Sequence, residues 1–488
     1  MPRSFRCFVL TLGVLTALVV LGSARLSWSG EEPGPPTAPA AKTEAPKEIK
    51  EAVEAFQKRD FDGCEKKLQE ACKQNPDLPP APVLMATFFA QANQGGAMQG
   101  YLERAVLKSP DDPEAYVIMG NILLQERRVT SASLLFAKAE ELLKTFKVAK
   151  RKDALLPQVV SGTAAVAEAR EKWDVAQKQL ENLLTLIPAP KAGASDQEKQ
   201  GVASAKAQAL MRLARATFQQ ADAAAALKHL KAAYEADKQN VLTPEAALGQ
   251  FYEQYGDHEN AKKWMTNALQ KAPEDIRTQL VVGQWALETN QIDLAQKLSD
   301  KALQLAGTDS TGNRMLLAQV FRGVVALFKE DYTTAEKHFQ EAHMMSPGNF
   351  AAKNNLALAL CEQKEEGNQK PKLRKAFEYA NDNFQQYPKN AEAASTLGWV
   401  LYKMGDLPKA ERALTMAASA GQMSADTAFY LAQVFYSGTP PRMEEAKNLL
   451  EAATKGERPF SKKRVALELL AKVTKELADK PPAKKDSK

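Results

Sequence analysis

The sequence predicts an all-α protein built as a tandem array of antiparallel helix pairs, and three observations carry that prediction. One order of residues recurs along the chain: a small residue, an alanine twelve positions on, a large apolar residue four further, another alanine three beyond, and often a proline after five more. The recurrence keeps register, because Pro76 and Pro110 close successive copies and stand 110 − 76 = 34 residues apart. Composition agrees, with 44% hydrophobic and 7% aromatic residues. Few runs alternate apolar with polar residues and β-branched residues are thin, so no sheet is predicted. A helix pair buries only one of its faces, and a second pair must cover the other.

The clearest copy covers 396–417. Leu397, Gly398, Leu401 and Tyr402 share one side of a first helix, and Ala410, Leu414 and Ala417 share one side of a second. Gly405-Asp406 is the turn between them. The order of small and large residues resembles the tetratricopeptide repeat, a helix-turn-helix unit of about 34 residues. The resemblance covers Lys47 to Arg458. It implies a right-handed superhelical solenoid of about eleven repeats plus a C-terminal capping helix.

Residues 1–30 read as a signal peptide or an N-terminal membrane anchor. Arg3 and Arg6 precede an apolar run from Phe8 to Leu21, then Gly22-Ser23-Ala24, with no acidic residue before Glu31. Cleavage would follow Ala24; the alternative is an uncleaved tether through residues 8–24. Either way the arginines favour an N-terminus inside and the bulk outside the cytoplasm. A transit peptide fits less well, since those are amphipathic. Residues 31–47, rich in Pro, Ala, Glu and Lys, form an extended linker.

An N-terminal array is expected over 48–188. Its first two copies carry Ala52, Cys64, Leu68, Ala71, Pro76 and then Ala86, Met98, Leu102, Ala105, Pro110. A third has Gly120, Ala132, Phe136 and Ala139 but Lys144 where the proline would stand, and Lys144–Lys152 reads as a lengthened basic connection. A fourth has Ala164, Ala176, Leu180, Leu183 and Pro188. Residues 189–206 read as a linker or insertion, running into the next helix.

A C-terminal array follows over 207–458. The fifth copy (Ala214, Ala226, Leu230, Ala233) is alanine-heavy, and the sixth (Gly249, Ala261, Met265, Ala268, Pro273) is strong. The seventh places Ser299 in the large apolar slot, between Ala295 and Ala302. The eighth (Gly323, Ala335, Phe339, Ala342, Pro347) is regular, and the ninth (Ala357, Ala376, Pro388) carries a charged insertion from Gln363 to Lys372. The tenth is the copy at 396–417, and the eleventh has Ala432, Ala446, Leu450 and Ala453. Residues 459–479 form a capping helix for the exposed last pair, and 480–488 a disordered basic tail.

The net charge of +6 is small against 65 basic and 59 acidic side chains, and the excess lies in linkers and tail, so nucleic acid is not an expected partner. Cys64 and Cys72 share a helix about 12 Å apart, beyond the ~7 Å reach of a disulfide, and Cys64 occupies a packing slot. The sequence shows no phosphate loop, nucleophile elbow, His-Glu-x-x-His or Cys-x-x-Cys, so neither an enzyme nor a cofactor or metal is expected.

What the resemblance implies is binding of other proteins or peptides in a groove lined by the first helices. The candidates are polar or aromatic first-helix residues that the core does not claim: Asn121, Gln250, Gln284, Gln319, Asn354, Asn355 and Tyr402. An asparagine amide donates and accepts at once, which suits a ligand backbone. The expectation is an exported periplasmic, cell-envelope or secreted scaffold. The alternative is a structural or accessory subunit of an envelope secretion or polysaccharide-export complex. Oligomeric state is not fixed by the sequence.

Overall fold

The computed structural model describes residues 46–307, 313–365, 370–421, 423–456 and 459–479. The expected leader (1–30), nearly all of the linker at 31–47 and the tail at 480–488 lie outside the described residues. Among the described residues there are 23 helices and no strand. Contacts divide the chain into two compact units, one ending at Ala261 and one running on from Lys262.

In the N-terminal unit the helices pair in sequence: α1 (Lys47–Gln57) with α2 (Phe61–Gln74), α3 (Ala81–Gln91) with α4 (Gly95–Lys108), and α5 (Glu114–Gln125) with α6 (Val129–Thr145). Next come α7 (Ala149–Ala169) with α8 (Trp173–Leu186), and α9 (Asp196–Gln219) with α10 (Ala223–Ala236). α11 (Pro244–Gln254) and α12 (His258–Lys271) continue the order, the unit boundary falling within α12.

In the C-terminal unit α13 (Ile276–Glu288) pairs with α14 (Ile292–Ala306), α15 (Asn313–Phe328) with α16 (Tyr332–Met345), and α17 (Phe350–Cys361) with α18 (Pro371–Gln386). α19 (Ala391–Met404) pairs with α20 (Leu407–Ser419) and α21 (Ala425–Ser437) with α22 (Met443–Thr454), while α23 (Lys463–Ala478) packs on α22.

One local device makes most of the pairs. The chain leaves the first helix through a residue of positive φ, such as Arg59, Arg127, Ala221, Glu330 or Gly405, and this reverses it within a few residues. An aspartate then often caps the second helix, as Asp60, Asp222, Asp331 and Asp406 accept from the backbone N–H three residues on.

The repeat slots meet across each pair. Phe136, Leu180, Leu230, Phe339 and Leu414 are fully or almost fully buried, as are the alanines that flank them. The small slot exists because the large one lies on top of it. A Cβ on Gly323 would stand 2.6 Å from Phe339, and one on Gly398 would stand 2.5 Å from Leu414. The irregular seventh copy uses a neighbour instead. Ser299 is buried with its hydroxyl donating to the Gln296 carbonyl at 2.7 Å, and Phe321 from α15 comes down over Gly283, 2.6 Å from where its Cβ would be.

Three expected connections differ. The basic stretch 144–152 is no lengthened link, since only 146–148 separate α6 from α7. Arg151 is instead a buried anchor, with guanidinium bonds to Asp112 at 2.7 and 2.8 Å and to Glu114 at 2.7 Å. The linker at 189–206 is shorter than expected, because Ser195 and Glu198 form a capping box that starts α9 at Asp196. The division between units falls at 261/262 rather than there. At the C-terminus the expected helix over 459–479 begins only at Lys463, leaving 459–462 as a non-helical lead-in.

Candidate protein-binding face

In the C-terminal unit α13, α15, α17, α19 and α21 contact one another in succession, so the first helices form a continuous layer. Two of them, α19 and α21, repeat an acid at the same register. Glu392 stands six residues before Gly398, and Asp426 six before Ala432, 426 − 392 = 34 residues on.

The candidates divide by unit and by surroundings. In the N-terminal unit Asn121 on α5 is exposed and Gln250 on α11 is half-buried, and no shared site joins them. In the C-terminal unit Gln284 on α13 is half-buried and donates to Glu288 one turn on at 3.0 Å. Gln319 on α15 is buried between the helices of its own pair. Its Oε1 meets His338 Nδ1 at 2.6 Å, and its amide nitrogen approaches Met315 Sδ at 3.7 Å.

Asn354 and Asn355, adjacent on α17, are both buried. Asn354 Nδ2 reaches across to Glu392 Oε1 on α19 at 3.2 Å. Its Oδ1, and the Nδ2 of Asn355, are buried with no partner among the described residues. Such groups are rare in a native fold because each costs about 1–3 kcal/mol. Tyr402 on α19 shares its hydroxyl with Gln433 at 3.2 Å and Ser437 at 3.1 Å, both on α21.

Around these stand residues that were not singled out in the sequence. Trp399 stacks on Tyr402 with centroids 5.0 Å apart and on Tyr430 at 4.3 Å. The Trp399 indole N–H donates to Glu362 Oε1 at 2.8 Å, and the same carboxylate takes Lys403 at 2.9 Å and Lys462 at 2.9 Å. Burial pushes the Glu362 carboxyl up, but the Lys462 and Lys403 ammoniums outweigh it and hold it below its ordinary range. Glu392 has no such cation. Burial, with some help from the Asp426 carboxylate, raises it to about 7. Burial raises Asp426 to about 6, against the pull of its backbone bond, Lys462 and Ser461.

The face therefore combines an aromatic stack, two carboxylates held in a reluctant state, and two amides with an unmet bond. Such a set can grip a polypeptide, with rings for an apolar side chain, acids for a cation and amides for the backbone. The signal for Glu392 and Asp426 was present as their 34-residue repetition. Lys462 carried none, because its position depends on where the lead-in to α23 runs. Among the described residues no group of three or more His, Cys, Asp or Glu is placed to hold a metal ion, and no helix is long and apolar enough to cross a membrane.

No protein-family model matches the chain, and no curated protein matches it. Solved structures do. A thermophilic TPR protein of Thermus thermophilus is 19% identical over 41% of this chain and 99% of its own, with a TM-score of 0.34. A tetratricopeptide repeat protein from Parabacteroides merdae is 16% identical over 55% and 99%, at 0.41. Yeast Tom70 is 14% identical over 88% and 96%, at 0.33. These likenesses are loose, and none carries a function to this chain.

Proposed function

We propose that this tetratricopeptide-type array is a protein-binding scaffold whose first-helix face in the C-terminal unit, centred on α17, α19 and α21, receives a segment of a partner polypeptide. The observation that carries the proposal is the pair of partnerless amide atoms on Asn354 and Asn355, set beside Glu392. A helix interior has no use for them, whereas a bound backbone supplies both the donor and the acceptor they lack.

We further propose that the scaffold works beyond the cytoplasmic membrane. The basic start at Arg3 and Arg6, the apolar run and Gly22-Ser23-Ala24 support export, with either release after Ala24 or retention through residues 8–24.

In-cell crosslinking of the tagged full-length protein, with mass spectrometry of partners and of its own N-terminus, tests both proposals. A dominant partner crosslinked to α17, α19 and α21 is the expected result. Crosslinks confined to the chain itself, or to residues outside the first helices, overturn the binding face. An N-terminal peptide starting at Arg25 signifies release and an intact leader signifies anchoring. A cytoplasmic pool carrying every copy overturns export.

A further inference from the structure

Residues 459–464 do more than lead into the last helix. Phe460 is buried and sets its ring against Phe429 of α21, centroids 6.4 Å apart. Ser461 lies beside the Asp426 carboxyl at the start of α21 and draws its pKa down. Lys462 is 8% exposed, with its ammonium 2.9 Å from Glu362 at the end of α17. The same ammonium donates to the Tyr332 hydroxyl at 2.6 Å and lies 4.7 Å from the centre of that ring. Arg464 reaches both oxygens of Glu330, each at 2.9 Å.

A capping helix needs to cover only the last pair, and α23 does so by packing on α22. The strap ahead of it goes further. It spans from α21 past the end of α17 to the start of α16, joining residues 130 apart in sequence, and Arg464 in the first turn of α23 extends the contact to Glu330, 134 residues away. Capping accounts for the contacts to α21 but not for those to Glu362, Tyr332 and Glu330, whereas peptide recognition accounts for both sets. The face takes an aromatic ring on Phe429, a small hydroxyl on Asp426 and a lysine between Glu362 and Tyr332.

We propose that the first-helix face of the C-terminal unit selects polypeptide segments with an aromatic residue followed two positions later by lysine, and that the chain's own Phe460-Ser461-Lys462 is the resident occupant such a partner exchanges with. This rests on the proposed function, and it names the partner's chemistry. Charge complementarity points the same way. Glu362, Glu392 and Asp426 on the face and Glu330 in the turn beside it give it four carboxyl groups, and its own lysines are already committed, Lys353 to Asp382 and Lys403 to Glu362. Burying Lys462 costs desolvation that its ion pair and Tyr332 offset. An incoming lysine meets the same terms, so exchange replaces like with like. The tether gives the strap an effective concentration in the millimolar range, which suppresses weak competitors and admits strong ones.

The test uses the full-length chain and a fluorescein-labelled synthetic peptide copying residues 459–464, read by fluorescence anisotropy. The double variant Phe460→Ala/Lys462→Ala vacates the face. It is expected to bind the peptide at least tenfold more tightly than the parent, and adding Glu362→Gln is expected to abolish that gain. Equal binding by parent and double variant overturns the proposal, as does a gain that survives Glu362→Gln. Hydrogen exchange of the parent with excess peptide guards against misfolding of the variants. Exchange at 459–464 should rise as the strap leaves, and an unchanged rate also overturns the proposal. Persisting partner crosslinks to α17, α19 and α21 in the face of such results would leave the binding face standing and remove the strap's role alone. Loss of the crosslinks as well would remove both.

Discussion

Replacing Gly398 with alanine sets two known effects against each other at one atom. In a helix interior the change should help, because glycine is about 1 kcal/mol worse than alanine. Here the added Cβ would lie 2.5 Å from Leu414 Cγ and 3.2 Å from the Ala410 carbonyl oxygen, where carbon atoms prefer roughly 3.5–4.0 Å. Leu414 is fully buried, and the nearby carbonyl is backbone, so neither can simply swing aside. Overpacking of this kind costs about 1–3 kcal/mol. The net expectation is a loss of up to about 2 kcal/mol in the α19–α20 pair.

A repeat array opens piecewise, so the loss is best read locally, by hydrogen exchange of peptides from α19 and α20. A loss of one or two kcal/mol should speed their exchange by roughly 5–30-fold. The decisive control is the same substitution on a Leu414→Ala background. That change alone costs about 2–5 kcal/mol but empties the space the Cβ needs. Gly398→Ala should then turn stabilising, because the Leu414 clash is gone and only the 3.2 Å approach to the Ala410 carbonyl opposes the helix-propensity gain. A stabilising effect in the parent, or a destabilising one on both backgrounds, would refute the claim that the small slot exists to admit the large one. Gly398→Leu should be worse than alanine on the parent background.

Three further outcomes follow from the same reasoning. Asn355→Ala removes an amide nitrogen that has no partner, so thermal unfolding should hold at the parent value while partner crosslinking falls; unaltered crosslinking would place that side chain outside the interface. The folded-state pKa of Glu392 lies above its ordinary 4.5, at about 7, so its stabilising contribution is complete at low pH and is lost as pH rises through about 7. Glu362 is shifted the opposite way, and its contribution is lost only as pH falls. Glu392→Gln should therefore stabilise α19 at pH 8 by about 1–3 kcal/mol and leave it nearly unchanged at about pH 4, with equal effects at both pH values counting against a raised carboxyl pKa. Cys64 is wholly buried and pushed up to about 12, so it should resist iodoacetamide in the native protein, and rapid labelling would show that this packing slot opens.

The fold was legible because each repeat slot is a packing instruction readable from one helix pair. Small at Gly398, large at Leu414 and alanine on either side are local facts, and the structure places them together. Even Ser299 misled only about its own slot, since Phe321 supplies bulk there from the next first helix. The connections were less legible because charge density was read as solvent exposure. Arg151, in a basic run, pairs with Asp112 and Glu114 across 39 and 37 residues. The capping box at Ser195 was a local signal that the surrounding Ala, Gly and Ser obscured. The candidate face was half legible. Asn354, Asn355 and Tyr402 fall on its helices, whereas Glu362 and Lys462 come together only through packing of segments 100 residues apart (462 − 362).

The two units bury polar groups in different surroundings, and the proposed binding face lies in the second. In the N-terminal unit three charges that go inside are answered by other charges, while buried Asp237 is answered by the amides of Gln200 and Asn240. Arg151 is held by Asp112 and Glu114, Glu65 by Arg104 and Lys108, and Glu168 by Arg212 and Arg215. Each of these charges has its opposite, which is what a structural ion pair requires, since a buried charge left without its partner is strongly destabilising. In the C-terminal unit the matching is incomplete. Asn354 and Asn355 each keep an unmet bond, Glu392 and Asp426 are pushed towards their protonated forms, and the best-satisfied acid, Glu362, draws one of its cations from a strap that arrives from the far end of the unit. A fold gains nothing by leaving such groups short in its own helices. On the proposed function a further chain would bring the missing donors, acceptors and positive charge, and Lys462 on Glu362 is an example of the charge in place.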